Sequence, residues 1–195
     1  MDTLVATTPT SVPASLRKLY FLRFAFAAVW AALLFTSADT LGVLSVTLLV
    51  VYPLFDVAAA VVDLRSVKAN GGTEPAPSSA LAPALSANIA ISSAAVISLA
   101  VAATSVGIPA VLRVWGDWAV ISGIVQLVAG AARRPLGGQW PMITSGAVST
   151  LAGASFFLQA GSDDPTLRGL AGYAFLGGVF FLISGLRLGR AAKGD

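Results

Sequence analysis

The chain contains no cysteine and no histidine. The first absence excludes disulfides and thiolate chemistry. The second removes the commonest general base and the commonest metal ligand. Charge is also scarce: 11% of the 195 residues are charged, against 56% hydrophobic, where a soluble domain carries roughly 25% charged residues. So few charges cannot cover a surface for water, and the apolar residues lie in long runs, so lipid is the expected solvent. The formal charge of +3 does not indicate nucleic acid, because the basic residues sit at the ends of apolar runs and form no groove-sized patch. A P-loop is missing. The glycine pair at Gly169 has no strand before it, so it is not a nucleotide fingerprint. No lysine or histidine stands within a span to activate a serine. Together these absences argue against an enzyme, a metal site or a bound cofactor.

What is present is a set of six apolar segments, at about 20–37, 41–62, 84–106, 111–132, 140–160 and 170–188. Each approaches the roughly 20 residues needed to cross a bilayer core, and in lipid each must be a helix to satisfy its own backbone. Residues 1–16 and 191–195 read as tails, and 64–83 as a flexible loop around KANGGTEPAPSS. The apolar run after Arg17 and Lys18 is long and lacks a convincing cleavage site, so it reads as a retained span.

Three stretches follow one template: Tyr52 to Arg65, Trp118 to Arg134 and Tyr173 to Arg190. Each starts on an aromatic residue, runs apolar and ends in arginine. Aligned, Tyr52, Trp118 and Tyr173 coincide, as do Asp56, Ser122 and Gly177; Gly123 matches Gly178 and Gly130 matches Gly185, with Val57 and Leu64 in the first copy. The expected fold is therefore an all-α integral membrane protein of six transmembrane helices, arranged as three repeated helical hairpins at about 17–63, 84–132 and 139–190. Ten of the twelve basic residues fall on the side of the termini, with only Arg113 and Arg168 opposite. The positive-inside rule places both termini in the cytoplasm.

From WGDWAVISGIVQLVAGAARR through QWPMITSGAVSTLAGASFF to LRGLAGYAFLGGVFFLISGLRLGR, Trp115 to Arg190, the chain resembles the HdeD-like membrane proteins. These are six-span bacterial proteins of short repeats. The first hairpin departs from the pattern at Pro53 and Asp56. The resemblance implies a multi-pass protein of the bacterial inner (plasma) membrane with a link to acid resistance or envelope stress. It implies no catalytic residues.

Asp56 is the feature that breaks the template. It lies about six residues from the cytoplasmic end of its span, roughly 9 Å deep at the helical rise. An ionised carboxylate there costs several kcal/mol unless paired or hydrated. Asp63 is seven residues on, near the same face, and Arg23 on the first span is the expected partner of one or the other. Two readings follow: an ion pair holding the first hairpin, or a protonatable carboxylate in the path of a small proton-coupled transporter or channel. Pro53 removes a helix hydrogen bond beside it.

Elsewhere, Arg113 and Asp117 are four apart and are expected to pair at the outer interface, with Trp115 and Trp118 as aromatic anchors. Trp30 and Trp140 read as packing and interface residues. The stripes Gly123, Gly130 and Ser145, Ser149, Gly153, with Gly178 and Gly185, allow close helix approach. Ser86, Ser92, Ser93 and Ser98 could pack or face water, and Gln126 needs a partner inside the bundle. Beyond the lipid bilayer the sequence names no partner or small-molecule substrate, and a homo-oligomer stays open.

Overall fold

The structure is a computed structural model that describes residues 11–69 and 78–191. It is all-helical over that range, with α1 (Ser11–Phe35), α2 (Val43–Ala69), α3 (Ser78–Ser105), α4 (Ile108–Ala132), α5 (Trp140–Ala160) and α6 (Arg168–Ala191). A short 3₁₀ turn, Arg134–Leu136, joins α4 to α5. All six helices hold a stretch long and apolar enough to cross a membrane.

All the helices but α5 are longer than their apolar runs. α1 begins inside the stretch 1–16 expected to be a tail, and α2 and α3 both reach into the expected loop 64–83. Leu64, Arg65, Lys68 and Ala69 are good helix formers, so the helix continues past the end of the apolar segment. Residues 1–10, 70–77 and 192–195 of the expected tails and loop lie outside the described residues.

Each helix runs antiparallel to the next, and α6 returns to α1, so the bundle is a closed ring in chain order. The α4–α5 contact is the most extensive, followed by α1–α6, α2–α3 and α3–α4; α1–α2 and α5–α6 touch sparingly. The closest approaches therefore link the expected hairpins to each other. Glycine explains the tightest one. A Cβ on Gly123 would lie 2.7 Å from the Gly146 carbonyl oxygen, and one on Gly146 equally close to the Gly123 oxygen. Gly116 and Gly153 repeat this reciprocal contact at 2.9 and 2.6 Å. Backbones meet here as only glycine allows. Gly130 packs on Ile143, while Gly178 and Gly185 face Ala27 and Phe21 of α1. Turning from α3 to α4, Gly107 adopts φ 111°, a conformation side chains rarely permit.

The two halves of the bundle differ. Toward the α1–α2 and α5–α6 turns the interior is a continuous apolar core containing Leu34, Leu49, Leu99, Leu112, Phe156 and Leu170. Aromatic rings interlock in it: Trp30 stacks on Trp115 at 5.4 Å, and Trp115 meets Trp118 edge-on at 5.2 Å. The Trp30 indole donates to the Leu48 carbonyl at 2.7 Å. The turns are tied above it by Leu167 N–H to the Ala38 carbonyl, 2.9 Å, and by an exposed Arg168–Asp39 ion pair, 2.8 Å. Toward the termini the apolar contacts split into two small clusters, around Leu16, Met142 and Leu188 and around Leu81, Leu85 and Ala129. Between them the interior is hollow, with polar side chains set among apolar ones.

Candidate functional site

A cavity of about 100 Å³ occupies this hollow half. That is room for several water molecules, since one needs roughly 10–15 Å³ on this measure. Every helix lines it: Arg23, Asp56, Asn88, Ser122, Ser145 and Gly177 come from α1 to α6 in turn.

Asp56 is buried at 9% exposure and its two oxygens accept three hydrogen bonds. Arg23 Nη1 reaches Oδ1 at 2.8 Å; Asn88 Nδ2 and the Ser92 hydroxyl both reach Oδ2, at 2.6 and 2.9 Å. The Trp118 indole donates to Ser92 at 2.9 Å and completes the chain. Three helices therefore hold one carboxylate, offsetting the cost of placing it away from water. The Arg23 guanidinium lies over the Phe181 ring, 5.1 Å from its centroid. Pro53 is buried one turn before Asp56 and leaves the Leu49 carbonyl without its helical donor.

Asp63 does not share Arg23. At 8% exposure it takes a two-pronged bridge from Arg133, with Nη2 on Oδ1 at 2.6 Å and Nη1 on Oδ2 at 2.9 Å. Arg133 is the residue just past the end of α4, where a cation also suits the helix C-terminus. Nearby, the Tyr20 hydroxyl donates to Gln139 at 3.3 Å. The far wall is formed by Ser149, which donates to the Ala119 carbonyl at 3.2 Å and shares a short hydrogen bond with the Tyr173 hydroxyl. Among the described residues Gln126 finds only the Met142 sulfur, at 3.8 Å, and the buried Ser122 hydroxyl has no partner.

Several expectations change. Arg113 and Asp117 form no ion pair; both are exposed, where such a pair is worth little, and this order of charges is the weaker one along a helix. Trp115 and Trp118 are not interfacial anchors but core residues, at 0% and 5% exposure. Trp140 is exposed and carries Arg134 on its ring. Among the glycines and serines, Gly123, Gly130, Gly153, Gly178 and Gly185 pack helices, whereas Ser145 and Ser149 line the cavity. Ser86 and Ser93 bond back to their own helix and face outward. Asn88 and Arg133 were not anticipated. Asn88 carried a readable signal, an amide within an apolar run and one turn before Ser92; Arg133 carried none, because a basic residue at a helix end is common to every return helix.

No family model, no curated protein and no solved structure matches this chain. Among the described residues no cluster of His, Cys, Asp or Glu is suited to a metal ion.

Proposed function

We propose that the protein is a small proton-coupled transporter or channel of the bacterial inner membrane, non-enzymatic, with cytoplasmic termini and Asp56 as the group that takes up and releases protons. One observation carries this reading: a titratable carboxylate and its polar partners sit at the wall of a cavity that all six helices build, in a chain whose outer surface is apolar. A carboxylate needed only to tie α1 to α2 would not require a cavity beside it. The positions that align in the three-copy template also converge on that cavity. Tyr52, Trp118 and Tyr173 line it together, as do Asp56, Ser122 and Gly177. This supports three hairpins about an axis near the membrane normal, as in parallel transporter repeats. The resemblance to HdeD-like proteins supplies the context, a role in acid or envelope stress.

The test is proton flux into vesicles carrying the full chain and a trapped pH dye. The wild-type protein is expected to carry protons, and Asp56→Asn, which keeps the side-chain volume, to stop. Flux that survives the substitution, or a folded wild-type protein with none, ends the proposal. A reporter fused at Ser162 tests the orientation, and activity there on the cytoplasmic side contradicts it.

A further inference from the structure

The hydrogen bonds of the cavity do not balance. Asp56 is well supplied, with two donors on Oδ2 and one on Oδ1. Arg23 is not. It has five N–H donors, and its single hydrogen bond to a described residue is the one from Nη1 to Asp56. The guanidinium lies over the Phe181 ring, and its remaining N–H groups meet no acceptor among the described residues. Ser122 has no partner and the Gln126 amide has only a weak one in sulfur. The cavity thus holds spare donors and no free carboxylate, since Asp63 is taken by Arg133. The Ser122 hydroxyl and the Gln126 carbonyl can also accept, but among the described residues lining the cavity the charged group with hydrogen bonds to spare is Arg23, so the site favours an anion over a cation.

We propose that the cavity binds a small monovalent carboxylate at Arg23 and takes up one proton on Asp56 with it. This rests on reading the cavity as a transport site. Oδ2 of Asp56 already accepts from Asn88 and Ser92, so Oδ1 is the oxygen open to a proton, and Oδ1 is the one Arg23 holds. Proton and guanidinium compete for it. Once Oδ1 is protonated the ion pair opens, Arg23 turns its donors to the ligand carboxylate, and the new O–H can donate to the same ligand. Charge points the same way. Arg23 and Arg133 cancel Asp56 and Asp63, so an anion alone would leave the low-dielectric centre negative, whereas an anion with one proton leaves it neutral. Phe26, Phe55 and Phe181 in the wall suit a short hydrocarbon part, which favours an organic acid over a halide. The other titratable groups around the cavity are Tyr20 from α1, Tyr52 and Asp63 from α2, Arg133 after α4 and Tyr173 from α6; α3 and α5 contribute only neutral groups. Asp56 is therefore the acid whose release changes the state of Arg23.

Lactate binding to the full chain tests this, read by calorimetry or by the fluorescence of Trp118 at the cavity wall, with choline as the cationic control. Where binding takes up one proton, affinity is expected to rise about tenfold for each unit of pH decrease, as linkage to one proton requires. Asp56→Asn mimics the protonated acid, so it should bind lactate tightly with no pH dependence. Arg23→Lys should weaken binding about tenfold or more, because a lysine cannot make the forked contact. The pair Arg23→Gln with Asp56→Asn removes both charges, guards against a folding defect, and should fold yet bind no lactate. Loss of binding in Asp56→Asn alone, a pH-independent wild-type affinity, or binding of choline in place of lactate overturns the proposal. Proton flux that needs Asp56 but ignores lactate would leave the transport reading standing and this one overturned. Lactate binding with the predicted pH dependence but no flux would do the reverse.

Discussion

The two halves of this bundle are made from the same helices and solve opposite problems. Toward the turns, α1, α2 and α4 contribute Trp30, Leu49 and Trp115 to a filled apolar core. A few turns along the same helices, Arg23, Asp56 and Ser122 surround space. The filled half is held by ring packing and closed by contacts between turns; the hollow half is held by two buried ion pairs. Apolar packing adds little net drive in lipid, where the alternative to a protein neighbour is an equally apolar chain. Ion pairs and buried hydrogen bonds have no such alternative partner there, so the hollow half depends on them. The lesson is that the polar groups are both the structural ties and the chemistry of the site.

Water access should separate the halves most sharply. The chain has no cysteine, so single cysteines report cleanly. Ser145→Cys, at the cavity wall, is expected to react with a hydrophilic thiol reagent applied from the side of the termini, and Leu112→Cys in the core to stay unlabelled. Equal labelling of the two would erase the distinction.

Next in size is the ion pair near the termini. Arg133→Ala leaves Asp63 buried and alone, which should cost about 3–5 kcal/mol. Removing both charges with Arg133→Gln and Asp63→Asn should recover most of it in a denaturation series. If the double variant is as unstable as the single one, the bridge is not what the hollow half rests on.

Two glycines give a matched pair of smaller effects. Gly153→Ala would set a Cβ 2.6 Å from the Gly116 carbonyl oxygen, an overpacking expected to cost about 1–3 kcal/mol. Gly177→Ala meets nothing within 4 Å, so it should be neutral or gain up to about 1 kcal/mol of helix propensity. Thermal unfolding of the two side by side checks whether the α4–α5 seam is as tight, and the cavity wall at Gly177 as open, as these distances imply. Trp30→Phe, which stays aromatic but loses part of the buried ring system and the bond to Leu48, should cost about 1–3 kcal/mol. At the outer turns, where Arg168 and Asp39 are more than half exposed, Arg168→Ala should change stability by less than about 0.5 kcal/mol.

Much of this was legible before any fold was seen. Six helices follow from run length, and Asp56 stands out because an acid in an apolar run must be answered by something. That Arg23 would answer one of the two acids was readable too, since it lies on the neighbouring helix near the same end of the span; that it takes Asp56 and not Asp63 was not. Nor was the partner of Asp63. Arg133 is seventy residues away in the chain and looks like any basic residue ending a span. Trp115 and Trp118 were misplaced for a different reason. Tryptophan near a span end suits both the membrane interface and a packed interior, and nothing local separates the two.

The sequence by itself determined how many helices there are, where they begin and end within a turn or two, and which residues are too polar for lipid. Those outcomes depend on the backbone and on solvation, which act locally. The tertiary structure alone decided which faces meet: that α4 packs on α5 through paired glycines, that Arg133 comes to Asp63, and that one half fills while the other stays hollow. The helical period fixes which residues share a face, but in lipid an apolar face is nearly as stable outside as inside. Only the close fit of one helix on another, and the few polar groups that must find each other, choose between them.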